Sequence, residues 1–280
     1  MIQTITKSEF ERVLPVGMSS NDNVFEMVLP EVENQLSIFN AGLLGDVGAK
    51  MIDAAGTDGI LYYNYIRMVV SAAFVAVMRQ LDLVLTPTGF GVVSNDNVSP
   101  ASKQRVDALE GQLRKSEYVS RAIVLMLLRS EEWGETQQAV ANIPYMFDEY
   151  DFFVIQRNRM SGDVDEWLKI EQLIRDADRH LRMKISDSQM DVLMSAYRKS
   201  GDYMSDYQSI ISYIKDFHYD WCFGSQTDAM GYPLRKIIST MENPDAAELY
   251  GNYLKSEAYK LNHHETIKNT KDSSAFFFNG

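Results

Sequence analysis

The sequence is poor in three kinds of residue, and each shortage argues against a class of protein. Its one cysteine, Cys222, has no partner for a disulfide within the chain, which excludes a small secreted scaffold built on disulfides. Its four histidines are little material for a histidine-based metal site. Its 27 Lys and Arg residues are outnumbered by 39 Asp and Glu residues, for a formal net charge of −12. This balance, without any basic run, argues against bulk attraction to nucleic acid or anionic lipid.

Long apolar runs and a signal peptide are also lacking. The most apolar run, Met68 to Met78, is shorter than the roughly 20 residues that a membrane-spanning helix needs. Residues 1–15 have neither the basic start nor the apolar centre of a signal peptide. We therefore expect a soluble protein that is made in the cytoplasm and is not secreted through a signal peptide.

The overall composition is that of an ordinary globular protein. Of 280 residues, 45% are hydrophobic and 24% are charged, which is enough apolar material for a sizeable core. We expect a single, mainly helical domain over residues 1–280, with possible sub-lobes 1–134 and 135–280.

Helix signals dominate the first half. Thr6 and Glu9 have the spacing of a capping box, which predicts a short first helix. The glycines in Asn40–Gly48 predict a break. Asp58 is expected to cap a helix over Gly59–Leu81, which is apolar on nearly every side and should be buried at the centre. A further helix is expected from Pro100 to about Glu132, after Ser99 as its N-cap.

Similar signals continue in the second half. Capping boxes begin at Asp163 and Ser186, and a further helix is expected over Tyr203–Phe223. Asn243 followed by proline predicts a helix to about Leu261. The acidic residues of the loops and helix ends, Asp148, Glu149 and Asp151 among them, are expected to be solvated or to favour a helix N-terminus.

Two segments predict β-structure. Leu83–Thr86 and Gly91–Ser94 favour strands, and the residues between them have turn chemistry, which predicts a hairpin over about 83–94. The apolar segment 273–278 also favours a strand. Because an isolated hairpin is marginally stable, we expect this C-terminal strand to complete a small antiparallel β-sheet. The predicted fold class is therefore mainly α, a multi-helix bundle with a small antiparallel sheet.

Motifs for catalysis or metal binding are weak. Gly89-Phe90-Gly91 resembles part of a dinucleotide-binding fingerprint but falls within the predicted hairpin rather than between a strand and a helix. His218 and Cys222 are four residues apart on a predicted helix and could form an activated thiolate, but the neighbouring Trp221 and Phe223 favour a buried, structural cysteine.

Two further patterns are better explained by local structure. His263-His264-Glu265 offers three metal ligands, but consecutive residues on a helix point apart, so a solvated helix end is favoured. The repeated segments Ser20–Val24 and Ser94–Val98 contain Ser, Asn and Asp, which are favoured at helix N-caps and in turns. A calcium-binding loop is the less favoured interpretation, because both segments lack the glycine and the distal glutamate of an EF-hand. We predict no catalytic residue, no cofactor and no metal.

Distinctive strings in two parts of the chain resemble a known family. They are Leu85-Thr86-Pro87-Thr88-Gly89-Phe90-Gly91-Val92-Val93-Ser94-Asn95 with Pro100-Ala101-Ser102-Lys103 and Arg105-Val106, and the ending Lys271-Asp272-Ser273-Ser274-Ala275-Phe276-Phe277-Phe278. They are similar to an uncharacterised family in phage-like gene clusters of gut Bacteroides-type bacteria. The resemblance implies a virion structural protein, a head-completion or head–tail connector subunit that is present in the host cytoplasm during assembly and then in the virion.

Several functional expectations follow from that resemblance. The chain is expected to be non-enzymatic, to self-associate in a ring or another homo-oligomer, and to contact phage portal or tail proteins. DNA would only pass by without specific binding, and no membrane is involved. The alternative is a monomeric helical module that binds a regulatory partner. The residues expected to form contacts are Leu83, Leu85, Phe90, Val92, Phe276, Phe277 and Phe278.

Overall fold

The computed structural model describes residue 2 and residues 4–14, 23–81, 83–86, 89–92, 102–156, 162–199 and 202–263. The chain folds as helical bundles in two compact units. Unit 1 comprises Met1–Gln172 and Ser195–Ser205, and unit 2 comprises Leu173–Met194 and Asp206–Gly280. Both units are discontinuous in sequence, whereas the expected sub-lobes 1–134 and 135–280 are continuous.

Unit 1 is built from helices of very different length, joined in two places by a π-helical turn. In chain order its elements are α1 (Lys7–Val13), α2 (Asn23–Phe39), a π turn (Asn40–Leu44), α3 (Gly45–Ala55), α4 (Ile60–Val77), α5 (Lys103–Leu128), α6 (Glu131–Gly134), α7 (Gln137–Asn142) and a second π turn (Tyr150–Ile155). It also contains the beginning of α8 (Val164–Ile185) and the end of α9 (Asp187–Lys199).

Helix α4 forms the centre of unit 1, as its uniformly apolar sequence predicts. It packs against α1, α2, α3 and α5. Several of its side chains are fully inaccessible to solvent: Tyr65, Met68, Val69, Val70 and Ala73. At 18 residues it is longer than the apolar run suggested, and by length and composition alone it could cross a membrane. Its burial inside the unit, 56% of that window, is that of a core helix.

The helix starts agree with the sequence only in part. The capping box of Thr6 and Glu9 is confirmed, with the Glu9 amide donating to the Thr6 hydroxyl over 3.3 Å. The cap at Asp58 is wrong, because α4 has Gly59 as its N-cap and no side-chain cap. Helix α5 begins at Lys103 and ends at Leu128, so it is shorter at both ends than expected.

The expected break at Asn40–Gly48 is confirmed, although its form was not foreseen. Helix α2 ends at Phe39, and the first π turn separates it from α3. Gly45 carries the change of direction with a φ of +58°, a conformation that glycine adopts readily. Asn40 is buried at the start of the turn, and its amide oxygen accepts a hydrogen bond of 2.8 Å from the Tyr65 hydroxyl of α4. The turn is therefore fixed to the core helix.

The expected small antiparallel sheet is wrong as an element of the fold. In the described residues, β1 (Leu83–Thr86) and β2 (Gly89–Val92) pair only with each other, and no third strand joins them. The expected strand 273–278 lies outside the described residues. Two four-residue strands, one of which contains two glycines, make an isolated hairpin rather than a layer of structure. The architecture is therefore that of a helical bundle.

Unit 2 contains the rest of α8 and α9, followed by further helices. These are α10 (Asp202–Phe223), of which residues 206–223 belong to unit 2, then α11 (Gln226–Met241), a 3₁₀ turn (Pro244–Ala246), α12 (Gly251–Leu254) and α13 (Glu257–Asn262). The α8 stripe Ile174, Ala177, Leu181 and Ile185 is fully buried at helical spacing. The single helix expected from Asn243 to Leu261 is wrong, because the chain turns between three short pieces there.

Candidate functional site

One of several grooves on unit 1, with a volume of about 310 Å³, combines apolar and polar side chains, and we name it the Arg121 groove. Its lining combines apolar side chains with one carboxyl, one guanidinium and one carboxamide. The lining residues are Ile38, Phe39, Gly42, Leu43, Glu117, Tyr118, Arg121 and Asn142. We consider it the candidate functional site because apolar surface and convergent polar groups are the usual features of a binding site.

Three elements bring these residues together. The end of α2 and the first π turn supply the apolar side of the groove. Helix α5 supplies Glu117, Tyr118 and Arg121, of which the first and last are four residues apart and so lie on one face. Helix α7 ends at Asn142, which lies at the other edge. Turns of π-helix occur often at functional sites, because they redirect side chains within an otherwise regular helix.

The π turn is held to α7 by side-chain amides. Asn142 Nδ2 donates to the carbonyl oxygen of Gly42 over 2.8 Å, and Gln138 Nε2 donates to that of Ala41 over 3.1 Å. Carbonyls at an irregular helical turn need such partners, since the regular hydrogen-bond ladder is interrupted there. These two contacts fix the distance between the apolar side of the groove and α7.

Arg121 lies at the base of the groove in a fixed orientation. Its NH1 group donates to Glu149 Oε1, and its NH2 group donates to Asn142 Oδ1 over 3.1 Å. The side chain is 27% exposed, and these contacts occupy two of its five N–H donors. A preorganised guanidinium with free donors is suited to binding a carboxylate or a backbone carbonyl of a partner.

Glu149 supports Arg121 from inside the protein. Its side chain is almost fully buried, and within the described residues its second oxygen, Oε2, has no hydrogen-bond partner. Burial raises the pKa of Glu149 to about 7, and the nearby guanidinium of Arg121 offsets this only in part. The neighbouring carboxyl groups of Asp148, Glu171 and Glu117 raise the pKa further. The region under the groove is therefore rich in carboxyl groups.

Several groups of the groove itself lack a partner. In the part of the chain that the structure describes, the Glu117 carboxyl and the Tyr118 hydroxyl make no hydrogen bond or ion pair. Burial raises the pKa of Glu117, although Arg121 and Arg114 lower it. Ile38 is 51% exposed at the rim. Apolar surface and unpaired polar groups thus lie side by side.

A second polar cluster fixes the element that carries Glu149. Tyr197 donates to Asp148 Oδ2 over 2.9 Å, and Arg129 donates to the same oxygen while its guanidinium lies 4.1 Å from the centre of the Tyr197 ring. Asp148 Oδ1 in turn accepts from the amide of Tyr150 over 2.9 Å at the start of the second π turn. Arg129 and Tyr197 are both buried, so this cluster has a structural role.

The expectation that the acidic residues after Phe147 are solvated is wrong. Glu149 is 8% exposed and Asp151 only 2%. Sequence reasoning missed the Arg121 groove for this reason, because acids in a segment without a regular pattern resemble a solvated loop. The available signal was the density of aromatic residues around them, which indicates a packed segment rather than a surface loop.

Of the residues expected to make assembly contacts, the structure describes only the backbone of four. Leu83, Leu85, Phe90 and Val92 lie on the β1–β2 hairpin, where Leu83 pairs with Val92 and Leu85 with Phe90 in the backbone register. Their side chains lie outside the description. The other three, Phe276, Phe277 and Phe278, lie outside the described residues.

The Cys–His pair is not formed. His218 Nδ1 lies 2.8 Å from the carbonyl oxygen of Ile214, and His218 Nε2 has no hydrogen-bond partner in the described residues. Burial raises the pKa of Cys222 to about 12, as expected for a structural thiol among apolar neighbours.

His263 belongs to a local cluster at the end of α13. Its ring stacks on Tyr259 at 4.2 Å between ring centres, and its Nε2 lies 3.5 Å from Glu242 Oε1. His264 and Glu265 lie outside the described residues. Among the residues that the structure describes, no three or more His, Cys, Asp or Glu side chains are grouped so that they could hold a metal ion.

Comparison with known proteins adds one similarity. Residues 44–142, less than half of the chain, match the model of a family of unknown function (DUF6712). This stretch contains Glu117, Tyr118, Arg121 and Asn142 of the groove, but neither Ile38 nor Glu149. No curated protein and no solved structure matches the chain.

Proposed function

We propose that this protein is a non-enzymatic structural subunit of the phage head-completion or head–tail connector type, and that it acts through protein–protein contacts. The observation that carries the proposal is the Arg121 groove, where the exposed Ile38 and the Glu117 carboxyl lie on a frame fixed by hydrogen bonds of Arg121, Gln138 and Asn142. This combination is typical of a surface that another protein completes.

The energetics of association favour such a surface. Aromatic residues and arginine are enriched where binding energy concentrates, and Phe39, Tyr118 and Arg121 supply both types. Polar groups that are partly buried without a partner gain more from a new hydrogen bond than solvated groups do. Since the contacts of Arg121, Asn142 and Gln138 already fix the groove, little ordering entropy is lost on binding.

A connector subunit would place these features in a particular assembly. Contacts around a ring are heterologous, because one patch of a subunit meets a different patch of its neighbour. The net charge of −12 would let DNA pass a channel by like-charge repulsion rather than bind to it. In this proposal the chain is in the host cytoplasm during assembly and then in the virion, and its other partners are portal or tail proteins.

Native mass spectrometry and light scattering test the proposal directly. The full chain, measured over a wide concentration range, is expected to form a ring or another closed oligomer, or to bind the portal, head or tail proteins encoded beside its gene. Ile38→Asp, at the rim of the groove, should weaken these contacts. Ile60→Asp, on an isoleucine that is 70% exposed in the same unit, is the matched control.

Two results would contradict the proposal. One is a strict monomer that binds none of those proteins. The other is a monomer that binds a cytosolic regulatory protein, which would favour the alternative of a helical binding module.

A further inference from the structure

We propose that the Arg121 groove of one copy binds the segment 264–280 of a second copy, with a phenyl ring of Phe276–Phe278 on its apolar side and a lysine of that segment at the Glu117 carboxyl. The inference rests on the proposed function and names the partner of its groove. It joins two features that are otherwise unrelated: a groove with an exposed isoleucine and the Glu117 carboxyl, and a segment with three consecutive phenylalanines preceded by lysines.

The first part of the proposed contact is apolar and involves the phenyl rings of Phe276–Phe278. Each phenylalanine that is buried removes on the order of 150–250 Å² of surface from water, so three in a row form a strong apolar anchor. The groove offers Ile38 and Phe39 as apolar surface, of which Ile38 is half exposed, whereas Leu43 is itself buried. Its volume of about 310 Å³ suits an inserted side chain rather than a whole helix.

The second part of the proposed contact is an ion pair between a lysine of the segment and Glu117 of the groove. Lys268 and Lys271 are the lysines of the segment, which also contains Glu265 and Asp272, so the proposed contact pairs individual side chains rather than net charges. The groove presents the carboxyl of Glu117, which makes no hydrogen bond or ion pair within the described residues and lies near the guanidinium groups of Arg121 and Arg114. Lys271 precedes Phe276 by five positions, a distance of at most about 17 Å along the chain. One segment can therefore place a ring at Ile38 and an ammonium group at Glu117.

The geometry of the chain allows the segment to reach a neighbour. The described part of unit 2 ends at His263, whose side chain is 43% exposed. Residues 264–280 can extend by at most about 60 Å from that point, which is longer than a small domain is wide. The contact is heterologous, segment to groove, so repetition of it closes a ring or extends a chain of subunits.

A mixing experiment with full-length variants tests the proposal. Ile38→Asp removes the groove and Phe277→Asp removes the segment, and each variant alone is expected to associate about tenfold more weakly than the natural chain or worse. An equimolar mixture of the two regains one intact groove and one intact segment, so it should form heterodimers by native mass spectrometry. Ile60→Asp makes the same change from an apolar to an acidic side chain at a position outside the groove. This variant should associate as the natural chain does.

A charge exchange gives a second, independent readout on residues that are not in the core. Glu117→Lys and Lys271→Glu are each expected to weaken association, and the double variant is expected to restore it. A synthetic peptide of residues 264–280 should compete with association of the full chain, and a peptide with Phe277→Asp should not. Circular dichroism of each variant confirms that the fold is retained.

The outcomes separate this inference from the function on which it rests. If the chain associates and the groove, segment and exchange variants all associate as strongly as it does, the groove–segment contact is wrong and the structural role stands. If mixing fails to produce heterodimers while the peptide still binds the groove, the segment occupies the groove of its own chain, and the proposal of a second copy is overturned. If the chain neither self-associates nor binds phage proteins, both proposals fail.

Discussion

The amide nitrogen of Asn142 lies 2.8 Å from the carbonyl oxygen of Gly42, to which it donates a hydrogen bond although the two residues are 100 positions apart. The same side chain accepts from Arg121 through Oδ1. Asn142 thus connects the first π turn, α7 and α5, and it sets the width of the Arg121 groove.

Replacement of Asn142 by alanine should loosen this connection. The variant loses the bonds to Gly42 and Arg121, and we expect a destabilisation of about 1–2 kcal/mol in chemical denaturation, because each net hydrogen bond contributes about 1 kcal/mol. The control is Asn34→Ala on the exposed side of α2, where the asparagine bonds only to the nearby Glu31. Equal stability of the two variants would show that Asn142 does not hold the groove.

The pH dependence of stability should change when Glu149 is replaced by glutamine. Its pKa is about 7 in the folded protein and about 4.5 without the fold. The folded state therefore binds this proton more tightly, so the contribution of Glu149 to stability is full below pH 4.5 and is lost as pH rises to 7. The loss is on the order of 3 kcal/mol.

Glu149→Gln removes this titration. In urea denaturation at a series of pH values, the decline in stability between pH 4.5 and 7 should be smaller for the variant than for the natural chain, and the raised pKa of Glu117 leaves a residual decline. Glu132→Gln, at an exposed position on α6, should leave the decline in place. The prediction fails if the stability of the natural chain rises over that interval and the rise is absent in Glu149→Gln. That result would mean that Arg121 lowers the pKa of Glu149 by more than burial raises it.

Two glycines should respond in opposite directions to the same substitution. A Cβ at Gly134 would lie 2.9 Å from the backbone of Arg198 at the end of α9, and a backbone cannot move aside as a flexible side chain does. Gly134→Ala should cost on the order of 1–3 kcal/mol. Gly111, inside α5, has no atom within 4 Å of such a Cβ, so Gly111→Ala should stabilise by about 0.5–1 kcal/mol. Thermal unfolding of both variants measures the difference, and a stable Gly134→Ala would refute the close contact.

Cys222 should react slowly while the protein is folded. Its pKa is raised to about 12 by burial, so very little thiolate is present near neutral pH. We expect labelling by a disulfide reagent to be at least about a hundredfold slower than in denaturant, where the thiol regains an ordinary pKa. Rapid labelling of the native chain would show that the thiol is accessible.

Local signals in the sequence predict a good part of the helical architecture. The Thr6–Glu9 capping box is present, and Ser186 caps α9, since its hydroxyl accepts from the Gln189 amide over 3.3 Å. The uniformly apolar segment after Gly59 is the core helix α4. Such features depend on neighbouring residues, and a sequence contains that information directly.

The predictions that were wrong or incomplete needed information from distant residues. The glycines after Asn40 predict a break but not its form, a π turn held by hydrogen bonds from Gln138 and Asn142. Glu149 resembles a loop acid, but Arg121, 28 positions away, pairs with it inside the protein. Single-sequence patterns do not encode which remote partner satisfies a polar group.

The amino-acid sequence alone determined that this chain is acidic, rich in helix and built around α4, because charge balance and hydrophobic periodicity are properties of neighbouring residues. Only the tertiary structure decided that the end of α2, α5 and α7 converge on Arg121, because that convergence depends on hydrogen bonds and packing between residues up to 100 positions apart. The groove is thus a product of folding, in which burial places an unpaired carboxyl, a fixed guanidinium and an exposed isoleucine on one surface.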